Sequence, residues 1–229
     1  DASHGADGLV AKKDIKTIQD LKGKTVAGQM GGGASYFWLN YVLAQNGMKL
    51  SDLKMVDMRA PDAGAAFVAE KVDAAITWEP WLHRAKATPH GHVLYSSDKT
   101  PGIIVDSLGF KPEFLAKRRD DVKKIVAAWN EAIAFMQSNT AEADAIMAKF
   151  SNLTPDIFAI EKAGVIFYGG KENKEWFAAG GKLQLETESI SPRGLVTSFI
   201  PTLANEALQQ YTSRWYVDSV QTMEGRIEM

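Results

Sequence analysis

Ala60-Pro-Asp-Ala-Gly-Ala-Ala-Phe-Val-Ala-Glu-Lys-Val-Asp-Ala-Ala-Ile-Thr-Trp-Glu-Pro-Trp81 is the stretch whose reading decides the fold. Pro61 and Asp62 mark a helix start, since proline is tolerated in the first turn and a carboxylate there favours the unpaired backbone N–H groups. Phe67 and Val68 are expected to face inward. After Glu70-Lys71, the run Val72 to Thr77 is short, apolar and rich in β-forming residues, which predicts a parallel strand covered on both faces. Such a strand ends at the carboxyl edge of its sheet, where open α/β folds place their ligands. Trp78-Glu79-Pro80-Trp81 falls at that edge.

Working outward, the same alternation continues on both sides. Leu9 to Lys12 and Lys24 to Ala27 read as strands, with a single helical turn over Thr17 to Leu21 stopped by Gly23. Gly28-Gln-Met-Gly-Gly-Gly-Ala-Ser35 is a glycine loop opening onto a helix from Tyr36 to Asn46. Strand, glycine loop and helix N-terminus make an anion-binding geometry. The three adjacent glycines match neither the dinucleotide fingerprint nor a nucleotide phosphate loop, so the loop stands open between ligand contact and plain tight turn. Leu53 to Met58 and Gly91 to Ser96 are further strands, with a helix over His83 to Thr88. Strand and helix in alternation predict an α/β fold with a parallel sheet. Asp106 sits in the apolar run Gly102 to Gly109, where an acid must be paired, used, or bonded to a nearby loop.

From Pro112 the chain turns helical. A short helix over Glu113 to Lys117 precedes one from Asp120 to Ser138, where Val122, Ile125, Val126, Trp129, Ile133 and Met136 recur at helical spacing and are expected in the core. Helices are also expected over Thr140 to Phe150, from Thr154, and around Asn173 to Phe177. Beyond Gly180, an extended stretch from Leu183, a turn at Pro192 to Gly194 and a largely helical Leu195 to Tyr216 precede a frayed tail.

Composition narrows the function classes. The 229 residues are 45% hydrophobic and 24% charged, enough for one large domain or two small lobes. A formal net charge of −2, with the basic residues dispersed, argues against a nucleic-acid partner. Cysteine is absent, which removes thiol nucleophiles, thiolate metal sites and disulfides, and fits an oxidising compartment. No apolar run has the length of a membrane span. Asp1 to Gly8 lack the features of a signal peptide, so the leader is expected to have been removed or the chain to begin inside a longer protein. His90-Gly-His92 lacks the acid and third ligand a metal site needs, and no metal or other cofactor is expected.

Several motifs in fixed order carry a family resemblance. Asp7 to Lys13, Asp20 to Ala27, Asp62 to Phe67, Val72 to Ile76, Thr77 to Trp81, Pro101 to Asp106, Val122 to Trp129 and Glu172 to Phe177 resemble the periplasmic solute-binding proteins of ABC importers for nitrate, sulfonate, taurine, bicarbonate and hydroxymethylpyrimidine. The resemblance implies a type II periplasmic-binding-protein-like α/β fold with the ligand between two lobes. Here one complete parallel-sheet lobe (1–105) would be followed by a helical return to the first lobe (106–182) and a C-terminal extension (183–229). The family's N-terminal segment has no counterpart before Asp1, so the helices from Pro112 onward are expected to expose apolar faces and to associate or to be completed by another segment.

Carried over position by position, the resemblance places ligand contacts at Gly33, Ala34, Ser35, Tyr36, Asp62, Ala63, Trp78 and Glu79, with Asp106 at the return crossing. Helix N-termini and Ser35 can donate to an oxyanion, aromatic faces can cover a flat group, and Glu79 or Asp106 can accept from an amine or amidine. A buried acid repels a bare oxyanion unless protonated or paired, which leans the expectation toward a solute with N–H or cationic groups. Trp81 reads as packing, and His83 and His90 as surface residues. The implied partners are a small solute and an ABC importer membrane permease. The implied location is periplasmic or extracellular, with room for a lipid anchor. Asp7-Gly8 and Asp106-Ser107 are candidate hinge points. The rival classes are a pyrimidine-precursor enzyme of similar fold and a ligand-sensing domain.

Overall fold

The computed structural model describes residues 1–106 and 108–177. These form two compact units, one of residues 1–106 with 148–166 and one of residues 108–147 with 167–177. The expectations for the segments beyond Gly180, and for Ser107, lie outside the described residues.

Unit 1 is built on a five-stranded sheet in the order β4-β3-β5-β2-β6. Its strands are β2 (Asp7–Lys12), β3 (Thr25–Gly28), β4 (Lys54–Asp57), β5 (Ala74–Trp78) and β6 (Gly91–Ser96). β3 pairs parallel with β4 and β5, while β2 runs antiparallel to both β5 and β6. The expected all-parallel sheet is therefore mixed. A strand buried on both faces reads as a continuous apolar run whichever way it points, so Leu9-Val-Ala11 could not announce its direction. A two-residue pair, β1 (Ala2–Ser3) with β7 (Val165–Ile166), was not anticipated. It is too short to carry a periodic signal.

Two apolar layers cover the sheet. On one face, α1 (Ala34–Gln45) lays Trp38, Leu39, Val42 and Leu43 against Leu9, Val26, Ala74 and Ile76. On the other, α2 (Ala60–Val68) and α3 (Trp81–Lys86) bring Ala63, Phe67, Leu82 and Ala85 onto Val10, Ala27 and Ala75. Alternate residues of β5 thus serve opposite layers, as the period-two geometry of a strand requires. Pro61 lies in the first turn of α2 as expected, with Asp62 beside it and Arg59 at the cap position. Gly64 lets α2 approach closely: a Cβ there would stand 2.5 Å from Trp81 Cβ and 2.8 Å from Thr77 Oγ1.

At the opposite end of the sheet, Asp73 bonds Lys12 Nζ at 2.7 Å and accepts the Thr25 N–H at 3.0 Å. These contacts, the Lys12 bond first, hold the Asp73 carboxyl below its ordinary range. A lowered folded-state value stabilises above the unfolded value, and that contribution disappears as pH falls through the folded one. Asp73→Ala is expected to cost about 1 kcal/mol after allowance for solvent screening, with the difference from the parent vanishing in acid. Denaturant unfolding of both proteins near neutrality and in acid checks this, and an undiminished difference in acid would contradict it.

The expected short and long helices from Pro112 are one element, α4 (Pro112–Ser138), kinked at Arg118. α5 (Thr140–Phe150), α6 (Pro155–Ala163) and α7 (Gly170–Phe177) follow. Within unit 2, Trp129 donates its indole N–H to the Tyr168 carbonyl at 2.9 Å, and Asn173 donates to the same carbonyl. Of the six α4 residues expected in the core, only Val122 and Ile133 are buried, while Ile125 and Val126 are 40% and 45% exposed. Helical spacing selects a face, but burial needs a partner layer, and the described part of this unit contains no strand. Among the described residues no helix is long and apolar enough to cross a membrane.

Candidate functional site at the carboxyl edge of the sheet

Because β3, β4 and β5 are parallel, their carboxyl ends lie side by side, and each feeds a helix N-terminus at one edge of unit 1. Gly28 leads through Gln29 to Gly33 into α1, Asp57 leads into α2, and Trp78 leads across a cis Glu79–Pro80 bond into α3. Gly31, Gly32 and Gly33 all adopt positive φ, which explains three consecutive glycines: only glycine takes that backbone without strain. Three bonds lash the edge together. The Met30 N–H donates to Asp57 Oδ1 at 2.8 Å, the Met58 N–H donates to the Gly28 carbonyl at 3.2 Å, and Thr77 Oγ1 donates to the Ala60 carbonyl at 2.7 Å.

Of the residues picked out in the sequence, Gly33, Ala34, Ser35 and Tyr36 form the cap and first turn of α1, where a helix leaves N–H groups without intrahelical acceptors. Ser35 is buried and belongs to the same stripe as Leu39 and Leu43, so it sits on the sheet-facing side of the helix. Asp62 is exposed at the start of α2, whereas Ala63 is fully buried in the core and offers an adjoining ligand only its backbone. Trp78 is 38% exposed at the tip of β5. Glu79 is half-buried; its N–H donates to the Ala6 carbonyl at 2.9 Å and its Oε2 accepts the His83 N–H at 2.9 Å, which starts α3. Burial raises the Glu79 carboxyl above its ordinary range, against the opposing pull of that bond.

Asp106 departs from the expectation. Among the described residues of 102–109 no strand forms beyond an isolated bridge from Val105 to Ala2, and Asp106 is exposed, so the surrounding described apolar residues do not enclose its carboxylate. Asp7 is the acid the sequence reading did not assign to the site. It opens β2 in register with Trp78 and alternates with Gly8, so its side chain lies on the α1 face with Trp78. Its N–H donates to Ser3 Oγ at 3.1 Å, and Ser3 Oγ shares a 2.8 Å bond with buried Ser97. Burial raises the Asp7 carboxyl, the Ser3 hydroxyl opposes this, and the Asp106 charge adds to it. An acid before a glycine reads as turn chemistry in a sequence, which is why the strand start hid it.

Trp81 packs against Gly64 and carries the Arg84 guanidinium 4.6 Å above its ring, in line with its reading as a packing residue. His90 is not simply a surface residue: it is half-buried, its ring is tilted 45° to that of Phe67 with centroids 5.3 Å apart, and it lies 3.7 Å from Glu70. His92 bonds the Ile15 carbonyl. Among the described residues no group of three His, Cys, Asp or Glu side chains is placed to hold a metal ion.

Comparison with known proteins gives the fold and the family. A binding protein of Brucella abortus is 30% identical over 148 residues, covering 63% of this chain and 46% of its own length. An Escherichia coli protein named for binding aliphatic sulfonates is 32% identical over 154 residues, covering 66% of this chain and 47% of its own. The chain thus spans about half the length of the curated relatives it matches. Among solved structures, the periplasmic aliphatic sulphonate binding protein SsuA of Escherichia coli superposes with a TM-score of 0.58 at 24% identity, over 72% of this chain and 60% of that one. The desulfurization enzyme DSZB superposes at 0.51 with 13% identity, over 75% and 63%. The α/β fold is therefore that of the periplasmic binding proteins, a fold that DSZB shares. The family model described as NMT1/THI5 like matches residues 3–143, and the chain belongs to that family.

Proposed function

We propose that this chain is the solute-capturing part of an extracytoplasmic binding component of an ABC importer, and that it holds a small sulfonate-type solute at the carboxyl edge of the unit 1 sheet. The observation that supports this most is the juxtaposition at one edge of the α1 and α2 N-termini with the exposed ring of Trp78. First-turn N–H groups of α1 and the Ser35 hydroxyl donate to the solute's oxyanion, and Trp78 covers its apolar part. Glu79 does not stand in the way of an anion. One of its oxygens already starts α3, and burial makes it carry its charge less readily. Gly33, Ala34, Tyr36, Asp62 and Ala63 frame the site, with Asp7 and Asp106 beside it. The role is capture and delivery to a membrane permease from the periplasmic side, not catalysis. The division into two lobes that close on the solute belongs to the same proposal.

Thermal unfolding of the chain against ethanesulfonate, taurine, nitrate, 2-aminopyrimidine and benzamidine tests this reading. A ligand that binds only the folded state at a hundred times its Kd stabilises by about 2.7 kcal/mol. A saturating rise with a sulfonate, weakened about tenfold in apparent affinity by Trp78→Ala through loss of its apolar cover, is expected. A rise confined to benzamidine or 2-aminopyrimidine would shift the solute class to cations and N–H donors. No rise with any of the five would remove the support for solute capture.

A further inference from the structure

Asp7 opens β2 at the edge where solute is held, and a chain of buried polar groups leads to it from α1. The Trp38 indole N–H donates to Thr100 Oγ1 at 2.8 Å, and the Thr100 N–H donates to the Ser97 carbonyl at 3.0 Å. Ser97 is fully buried. Its Oγ accepts the Gly5 N–H at 2.7 Å and lies 2.8 Å from Ser3 Oγ, which accepts the Asp7 N–H at 3.1 Å. Gly5 has a φ of 115°, open to glycine without strain, and so turns the chain for Ser3 to reach Asp7 four residues on.

Asp7 stands directly opposite Trp78 in the antiparallel pair of β2 and β5. Opposed residues project from the same face with Cβ atoms about 4.5–5.5 Å apart, so the carboxylate lies beside the exposed indole of Trp78. Among the described residues no Lys, Arg or His pairs with Asp7, and the charge acting on it is that of Asp106. A largely enclosed carboxylate without a counter-ion is costly until a cation reaches it. Next to an exposed aromatic face, it forms the combination that holds an ammonium group. The other two acids at this edge suit that role less well: Asp106 is exposed, and Glu79 Oε2 already accepts the His83 N–H.

We propose that Asp7 selects a solute carrying an ammonium group beside its oxyanion, and that Ser97, acting through Ser3, positions the carboxylate without touching solute. This rests on the reading that solute is held at this edge. Each hydroxyl has one hydrogen, and the bond between Ser97 and Ser3 uses one of the two. Ser97 is closed in on all sides, whereas Ser3 stands against Asp7, so Ser97 donates to Ser3 and the Ser3 hydrogen turns to the carboxylate. The oxyanion end is then set by the first turn of α1 and the ammonium end by Asp7. Trp38, Thr100, Ser97 and Ser3 fix the spacing between them.

The test measures the affinities of the full chain for taurine and 2-hydroxyethanesulfonate, which differ in bearing an ammonium or a hydroxyl at the same place. The parent is expected to prefer taurine by about tenfold or more, the contribution of a charge-assisted hydrogen bond. Asp7→Asn should abolish the preference by weakening taurine. Ser97→Ala should reduce the preference about threefold, and adding Ser3→Ala should reduce it little further, since both hydroxyls act through one chain. Carboxyl-carbon NMR of Asp7 in the parent covers the case in which a variant fails to fold: saturating taurine should lower its titration midpoint, as a neighbouring cation does, and 2-hydroxyethanesulfonate should lower it far less. Equal affinities in the parent, or a taurine preference that survives Asp7→Asn, would overturn the proposal while leaving solute capture standing. Ser97→Ala weakening both solutes alike would overturn the positioning role. Binding of neither solute would overturn the proposal and the capture reading together.

Discussion

Trp38→Ala is expected to destabilise unit 1 by about 3–5 kcal/mol, the range found when a large buried aromatic is truncated. Trp38 is fully buried, between the sheet and α1, and its ring stands 6.0 Å from that of Tyr95. Its indole N–H donates to Thr100 Oγ1 at 2.8 Å, in a buried bond that joins α1 to the end of the segment after β6. Truncation removes the apolar contact and this donor together, and the surrounding helix and strands can collapse only partly into the space. A domain of this size has of order 5–15 kcal/mol in total, so the loss should be plain in a denaturation midpoint. Trp38→Phe keeps most of the volume and loses the bond, and should fall between parent and alanine. A Trp38→Ala protein within about 1 kcal/mol of the parent would mean that the α1 layer is not packed as described.

Gly64→Ala is expected to destabilise by about 1–3 kcal/mol, despite the intrinsic preference of helices for alanine by about 1 kcal/mol. Gly64 is in mid-helix, where the propensity term alone would make the substitution favourable. Steric contact decides against it. The new methyl would meet Trp81 Cβ at 2.5 Å, Trp81 Cγ at 2.7 Å and Thr77 Oγ1 at 2.8 Å. Neither obstacle is the free end of a flexible chain. Trp81 is held at the atoms nearest its backbone, and Thr77 is buried with its hydroxyl committed to Ala60. Relief requires α2 to retreat from β5 at the end that bears Trp78 and Glu79, so solute affinity should fall along with stability. Comparing denaturation midpoints checks the first effect. A Gly64→Ala protein more stable than the parent would show that the contact between α2 and α3 is looser than these distances indicate.

How much of this could be read from residues alone depends on the kind of signal. Ala60 to Trp81 announced its helix and strand because a proline start, an inward aromatic and an uninterrupted apolar run all say the same thing. Glycines at 31, 32 and 33 announced a special loop, and the loop's positive φ values are the reason for them. The direction of β2 was hidden, since Leu9, Val10 and Ala11 are buried on both faces and either polarity satisfies that pattern. On α4, Ile125 and Val126 were placed in the core by spacing, which specifies a face and says nothing of what covers it. Asp106 looked enclosed because its sequence neighbours are apolar, yet they do not wrap it in space. Glu161 carried no signal at all. A glutamate on a short amphipathic helix reads as solvated, yet Glu161 Oε1 is buried in the folded chain.

The central claim is the place where solute is held, and backbone amide NMR of the chain titrated with ethanesulfonate tests it most directly. The account predicts that the largest shifts fall on Ala34, Ser35 and Tyr36 at the start of α1, on Asp62, and on Trp78 and its indole, with the amides of Leu53 and Lys54, at the far end of β4, little affected. Saturating shifts confined to the helices after Pro112, or no shifts at the α1 N-terminus when binding is established by other means, would contradict it.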